Sequence, residues 1–433
     1  MTHILIIGAS DAGISAGLII RECAPGIDVT IAAKDAYPNF SICGLPFLIG
    51  GQVSHWQDLA HRKQPDLEAT GIRFLLTHAA EAVDPKKKQV RLTGPDGPLV
   101  LDYDRLILGT GAESRMPPIE GLDAPGVFPM RFMADVFAVE EFITLAKPRS
   151  ALIIGAGYIG MEMAEALNHR GLAVTVAEAG PQIMPTLSPD LSAVLEKELE
   201  ARSVRVMTRA KALGIDAGNH GLSVRFETGG PVAADMVLVL TGVRPAANLA
   251  RDAGIALGTA GAIAVDRRMA TSLPHIFAAG DCVETWHRML KKPVYLPLGT
   301  TAHKQGRIAG INAAGGAAEF AGSVGTQVVK IFDLVSGRTG LLEQEASDHG
   351  LAPLSVNVSF PDHKAYYPTA HTIHIILTGD RHSGRLLGGQ LLGRFGTEIS
   401  KRIDVLAAAI SADMTIAELS ELDLSYTRRC RVP

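Results

Sequence analysis

Two strand–turn–helix units built on glycine constrain this chain more than any other feature. In Ile4-Leu5-Ile6-Ile7-Gly8-Ala9-Ser10-Asp11-Ala12-Gly13 an apolar run enters a tight turn and a helix start, and Val29-Thr30-Ile31 supplies a second strand. Such a βαβ unit aims the backbone N–H groups of a helix N-terminus at a dinucleotide pyrophosphate. The pattern returns at Ala151-Leu152-Ile153-Ile154-Gly155-Ala156-Gly157-Tyr158-Ile159-Gly160, with Val174-Thr175-Val176-Ala177-Glu178 as its second strand.

The units are not equivalent. In the first, the middle glycine is Ser10 and the acidic residue expected after the second strand is Ala33, so alone it is also compatible with a purely structural βαβ unit. The second has all three glycines and ends its strand on Glu178, where a carboxylate would hold a ribose 2′-hydroxyl and repel a 2′-phosphate. That favours NADH over NADPH.

A chain of 433 residues predicts two to four domains, and 47% hydrophobic residues with 20% charged ones predict a soluble globular protein. A formal charge of -4 gives no reason to expect nucleic acid, and Lys86 to Lys88 read as a solvated turn. The first strand begins at once, without a basic segment and long apolar run, so neither signal peptide nor membrane anchor is expected. Four cysteines, at 23, 43, 282 and 430, make no disulfide framework and point to a reducing cytoplasm. Cys23 and Cys282 read as packing residues. Cys43, in Phe40-Ser41-Ile42-Cys43-Gly44-Leu45-Pro46-Phe47, stands alone where a two-cysteine redox enzyme would carry a pair.

Leu106-Ile107-Leu108-Gly109-Thr110-Gly111-Ala112 closes the first region, and Leu273-Pro274-His275-Ile276-Phe277-Ala278-Ala279-Gly280-Asp281 follows the second. With these motifs in order, the chain resembles the FAD- and NAD(P)H-dependent pyridine-nucleotide disulfide oxidoreductases over essentially its whole length. The resemblance implies an α/β fold with two Rossmann-like dinucleotide-binding domains and a C-terminal α+β dimerisation domain. Residues 1–114 and 245–320 would bind FAD, the inserted residues 115–244 NADH, and residues 324–433 would dimerise. FAD would meet Gly8, Ser10, Ala12, Gly13, Thr110, Gly111, Asp281 and the helix start at Thr301 and Ala302. NADH would meet Gly155, Gly157, Tyr158, Ile159, Gly160, Glu162 and Glu178, with Tyr158 as an aromatic lid where nicotinamide enters.

A lone cysteine followed by Gly-Leu-Pro resembles a narrower branch containing coenzyme A disulfide reductases, NADH peroxidases and oxidases, and persulfide or polysulfide reductases. It implies that Cys43 lies against the flavin and cycles between a thiolate and a mixed disulfide or sulfenic acid. Where the peroxidases and oxidases carry a histidine, this chain carries Asp11, and a carboxylate near a thiolate raises the thiol pKa. Where the coenzyme A enzymes carry polar or basic side chains, this chain has Ile19, Glu22, Asn39 and Ile42. His303 matches a substrate-side histidine, although a histidine in the first turns of a helix is equally a polar surface residue. Tyr366 or Tyr367, and Tyr426, match tyrosines sent into the partner's active site of a homodimer, with core packing as the rival reading. The chain ends Tyr426-Thr427-Arg428-Arg429-Cys430-Arg431-Val432-Pro433 in place of the family's Pro-Pro-aromatic tail. The expected activity is NADH-dependent reduction of a small-molecule disulfide, persulfide or polysulfide through Cys43, with catalytic help from His303, Tyr366 and Tyr426. The alternatives are an NADH oxidase or peroxidase using a Cys43 sulfenic acid, and an electron-transfer reductase for a small redox protein.

Overall fold

The computed structural model describes residues 2–218, 221–366 and 369–424. Tyr367, Tyr426 and Cys430 therefore lie outside the described residues.

Ile4, Leu5 and Ile6 are apolar at consecutive positions because both faces of their strand are covered, as in a parallel sheet under helices. The strand His3–Ile7 sits at the centre of a five-stranded parallel sheet in the order Ile276–Ala278, Arg105–Leu108, His3–Ile7, Asp28–Ala32, Ile72–Leu75. The same logic builds a second parallel sheet around Ser150–Ile154, in the order Arg205–Met207, Ala173–Ala177, Ser150–Ile154, Met236–Val239, Val127–Phe128. Full burial of each of these side chains contributes about 1.5–3 kcal/mol against exposure.

The first sheet takes its last strand, Ile276–Ala278, from beyond the entire second sheet. The crossing between the two is marked by a two-stranded antiparallel ribbon, in which Val243–Pro245 pairs with Ala112–Ser114. The C-terminal part carries a five-stranded antiparallel sheet, Gln327–Ile331, Leu334–Gly340, Leu386–Arg394, Thr372–Asp380, Pro353–Pro361. Helix Ile399–Ser411 packs on it through Ile399, Ile403, Leu406 and Ile410. It is tied to the second glycine helix, Tyr158–His169, by an ion pair from Lys330 to Glu165 and by the Phe332 N–H donating to the same carboxylate at 2.7 Å.

Two helices bring the distant parts of the first unit together. The first glycine helix, Asp11–Cys23, lies against the late helix, Gly299–Ala313. The approach requires Gly306, where a Cβ would stand 2.2 Å from the carbonyl oxygen of Ala12. Cys282 is buried, as a packing cysteine should be, but Cys23 is exposed at the end of its helix. Its position at the C-terminal turn carries it past the face that packs on the sheet.

Candidate active site

The glycine loops have nearly superimposable backbone bonding. The Gly8 N–H donates to Ala32 and the Gly155 N–H to Ala177, each at 2.8 Å. A Cβ on Gly8 would fall 2.1 Å from the Gly109 carbonyl, and one on Gly155 2.3 Å from that of Leu240. In the first helix the opening bond runs from Ile14 N–H to Ser10, which leaves the amides of Asp11, Ala12 and Gly13 without helical acceptors. In the second it runs from Met161 to Gly157 and leaves those of Tyr158, Ile159 and Gly160. A Cβ on Gly157 would meet nothing within 4 Å, so this glycine leaves room in front of the helix for a ligand phosphate rather than for the protein's own backbone.

The correspondence extends to the residue after each second strand. Ala33 donates to Leu75 and accepts from His78; Glu178 donates to Met207 and accepts from Ala210. These two are structural counterparts. Glu178 is held by the N–H groups of Ala156 at 2.9 Å and Gly180 at 2.8 Å, facing the second glycine loop. The first loop has no such carboxylate, because Ala33 ends at its methyl.

Cys43 occupies a single 3-10 turn, Ile42–Gly44, before the short helix Leu45–Ile49. Its segment is tied to the first glycine loop by the Asn39 N–H donating to Ala9 at 2.8 Å, and to the neighbouring segment by Ser41 N–H to Leu59 at 2.7 Å. An aromatic trio braces it, with Tyr37 at 5.0 Å from Trp56 and 5.5 Å from Phe137 between ring centroids. Although the residue is exposed, the surrounding protein still desolvates its sulfur. Burial pushes the thiol up, the carboxylates of Glu162 and Asp11 push the same way, Arg131 opposes them, and Asp281 adds a smaller upward push.

These charged neighbours come from widely separated parts of the chain. Asp281 follows the strand Ile276–Ala278, and its Oδ2 accepts from Arg131 Nη2 at 2.9 Å. Arg131 also donates from Nε to the Ala112 carbonyl at 3.3 Å, while the Asp135 carboxylate caps the amides of Arg131 and Phe132 at 2.7 and 2.8 Å. Sequence reasoning missed Arg131, since an isolated arginine between apolar residues carries no motif. Glu162 lies one turn beyond Tyr158; burial, reinforced by Glu165, pushes its carboxyl up to about 7. Burial likewise raises the Tyr158 phenol, which stands in the field of Arg338 and Glu345.

His303 lies in the second turn of the late helix, with Nε2 3.2 Å from Asp11 Oδ1 and Nδ1 2.8 Å from Ser15 Oγ. Burial raises the Asp11 carboxyl, His303 and His61 lower it, and Asp281 raises it. At the start of the same helix Thr301 and Ala302 are buried, and the Ala302 N–H is spent on the Leu298 carbonyl at 2.9 Å. The amides left for a ligand are therefore those before it, Thr301 included. Thr110 Oγ1 donates to the Ala246 carbonyl at 2.7 Å, and Gly111 takes a φ of 70°, fixing the turn beside the crossing ribbon. Tyr366 is 77% exposed.

The family signature of the pyridine nucleotide-disulphide oxidoreductases matches residues 2–306, and that of their dimerisation domain matches residues 326–425. The chain belongs to this family. An NADH oxidase of Methanocaldococcus jannaschii is 33% identical over 425 residues, covering 98% of this chain and 94% of the relative. A CoA-dependent NAD(P)H sulfur oxidoreductase of Pyrococcus furiosus is 32% identical over 424 residues, with 98% and 94% covered. Among solved structures, an NAD-dependent persulfide reductase from A. fulgidus superimposes with a TM-score of 0.94 at 35% identity, covering 98% of this chain and 80% of that one. This oxidoreductase is accordingly an enzyme that uses FAD and NAD(P)H. The glycine loops, the room at Gly157 and the Asp281 turn fit these cofactors; the first loop differs in carrying Ser10 at the middle glycine position and in offering no ribose carboxylate at Ala33.

Proposed function

We propose that this oxidoreductase uses NADH to reduce a small disulfide, persulfide or polysulfide, with Cys43 as the sulfur nucleophile. The observation that carries the reading is a single thiol among catalytic-type charges. Asp11, Glu162, Arg131 and Asp281 act on Cys43, while Cys23 and Cys282, the other cysteines among the described residues, are at a helix end and in a core. Bound FAD supplies the two-electron link between NADH and the sulfur. In this reading residues 1–114 and 245–320 hold FAD, residues 115–244 hold NADH, and residues 324–433 join a homodimer.

In this reading the amides of the first glycine helix and Asp281 hold FAD, and Glu178 selects NADH by accepting from the adenosine ribose. Cys43 attacks the substrate sulfur, and the Asp11 and His303 side of the site handles the proton. Tyr366 and Tyr426 would complete the site from the partner subunit.

Coenzyme A disulfide is disfavoured as substrate. Ile19 is buried in the helix pair and Asn39 is 1% exposed, so neither presents a charge to a phosphate, and Glu22 presents the wrong one. The oxidase reading draws support from the M. jannaschii relative's name. Against it stands Asp11, whose carboxylate raises the Cys43 thiol and cannot replace an imidazole.

The test is steady-state turnover of Cys43→Ser with NADH and each of a disulfide, a persulfide, polysulfide, peroxide and oxygen, beside anaerobic reduction of the bound flavin by NADH. Loss of sulfur turnover with flavin reduction intact is expected. Full sulfur turnover by the variant would sink the proposal, and equal retention with a protein acceptor would favour an electron-transfer reductase.

A further inference from the structure

Ala156, at the centre of the second glycine loop, is held on both sides. Its N–H donates to Glu178 Oε2 at 2.9 Å, and its carbonyl accepts from the Met184 N–H at 2.8 Å. The other oxygen of Glu178 accepts from the Gly180 N–H at 2.8 Å. Residues 180–188 therefore start at the carboxylate assigned to the ribose, touch the loop assigned to the pyrophosphate, and run on to the C-terminal sheet.

This segment contains no helix or strand, and Met184, fully buried, takes a φ of 44°. Side chains rarely adopt that region, and they stay there only where surrounding contacts impose it. The inner turn is fixed locally, with Leu187 N–H donating to Met184 at 2.9 Å, Gln182 Nε2 to Leu187 at 3.0 Å and Ser192 Oγ to Ile183 at 2.7 Å. The far end is fixed by the C-terminal sheet. Arg338 Nη1 donates to the Thr186 carbonyl at 3.0 Å, and the Ser188 N–H donates to Gln390 Oε1 at 2.7 Å. Arg338 and Gln390 sit opposite each other on the strands Leu334–Gly340 and Leu386–Arg394, so they share one face of that sheet.

Arg338 is itself held from its own side of the seam. It is 8% exposed, and its Nη2 donates to Glu345 Oε2 at 2.6 Å and to the Gly340 carbonyl at 3.1 Å. The same Glu345 oxygen accepts from the Leu342 N–H at 2.8 Å. A planar guanidinium aims its N–H groups in fixed directions, so anchoring one side of the fork sets where the other reaches Thr186.

We propose that Arg338, with Gln390 beside it, is a positioning residue for NADH. From the region matched by the dimerisation signature it holds residues 180–188, and through them the Ala156 carbonyl and the Glu178 carboxylate. The inference rests on the reading that the second glycine unit takes NADH, and it names the part of the chain that sets that unit's shape. Releasing the far end lets the Met184 turn relax from its left-handed φ, which breaks its bond to Ala156 and frees the Gly180 N–H from Glu178. The ribose and pyrophosphate contacts then weaken together, in the ground state and the transition state alike. That pattern raises KM for NADH and spares kcat.

The test uses the FAD-loaded enzyme carrying Arg338→Met, which fills similar space without donating, or Gln390→Met, which removes the acceptor for Ser188. The Glu345 side chain is 40% exposed, so losing its arginine leaves it to water rather than stranding a buried charge. NAD⁺ binding is measured by calorimetric titration, and NADH turnover with ferricyanide as acceptor, which bypasses the sulfur step. Arg338→Met is expected to raise the NAD⁺ Kd and the NADH KM by roughly 10-fold, short of the about 100-fold that a 1 Å misplacement can cost, with kcat within about 2-fold. Gln390→Met should move both constants the same way by less, and it decides the matter if Arg338→Met fails to fold. A role in stability alone gives the opposite split, a lower kcat from a smaller folded fraction with Kd and KM unchanged, and that result would overturn the assignment. Glu178→Ala is measured alongside. If it leaves NAD⁺ binding unchanged, the reading of the second unit falls and this inference with it; if it weakens binding while the other two variants do not, this inference alone falls.

Discussion

The Arg131 guanidinium donates to the Asp281 carboxylate at 2.9 Å, with side chains only 10% and 17% exposed. One end of this pair is anchored by the capped start of helix Met133–Ala146, the other by the Gly280 N–H donating to buried Gln305 at 3.0 Å. It therefore joins the segment before that helix to the turn expected to meet the flavin.

Removing one partner of a mostly buried pair leaves a charge without compensation, at a cost of about 3–5 kcal/mol. Arg131→Ala should accordingly lower the melting temperature and release flavin at lower denaturant concentrations than the parent does. Flavin fluorescence during a urea titration measures both, and an unchanged release midpoint would refute the role given to the pair.

Glu178→Ala should raise KM for NADH and leave KM for NADPH little changed or improved, because the carboxylate that receives a ribose hydroxyl also repels a 2′-phosphate. An arginine there should go further and favour NADPH. Comparing kcat/KM for the two coenzymes checks the assignment; an NADPH-preferring parent would contradict it.

Glu162 makes stability depend on pH with a definite sign. Its folded carboxyl titrates near 7, above its ordinary 4.5, so the folded protein holds more protons than the unfolded chain between these values. Stability should fall as pH rises through that window, by on the order of 3 kcal/mol from this group alone. Glu162→Gln should remove the slope and, by deleting a negative charge near Cys43, speed alkylation of the thiol by iodoacetamide at neutral pH. Urea unfolding at several pH values, with alkylation rates alongside, reads both effects.

Gly306→Val places side-chain atoms where a Cβ alone would stand 2.2 Å from the Ala12 carbonyl. The first glycine helix and the late helix must then separate, at a cost of roughly 1–3 kcal/mol or more. The His303 to Asp11 distance should lengthen with them. Calorimetry should report the change; a variant with an unaltered melting temperature would show that the close approach is dispensable.

Much of the fold is legible in the chain because it is local. A doubly buried strand needs consecutive apolar residues, and a turn pressed against a carbonyl needs glycine, so Ile4–Gly8 and Ile153–Gly155 announce themselves without tertiary information. The alternating run Thr372–Leu377 and the helical apolar spacing in Lys401–Ile410 are local in the same way. The candidate site is legible only in part. Cys43, Asp281 and Glu178 stand in recognisable sequence surroundings. Arg131 does not, being 150 residues from the carboxylate that gives it a role. Cys23 was misread, since a position late in a helix does not reveal which face it occupies.

By itself, the sequence carried two glycine motifs of dinucleotide-binding type and a lone candidate thiol at Cys43, since each signal is carried by neighbouring residues. The tertiary structure decided which groups share that thiol's field. Ser15 and His303 are 288 residues apart, and only the close packing of two glycine-bearing helices sets them at 2.8 Å. Proton chemistry depends on such distances rather than on spacing along the chain, so the approach of His303 to Ser15 and Asp11 could be found only once both helices were in place.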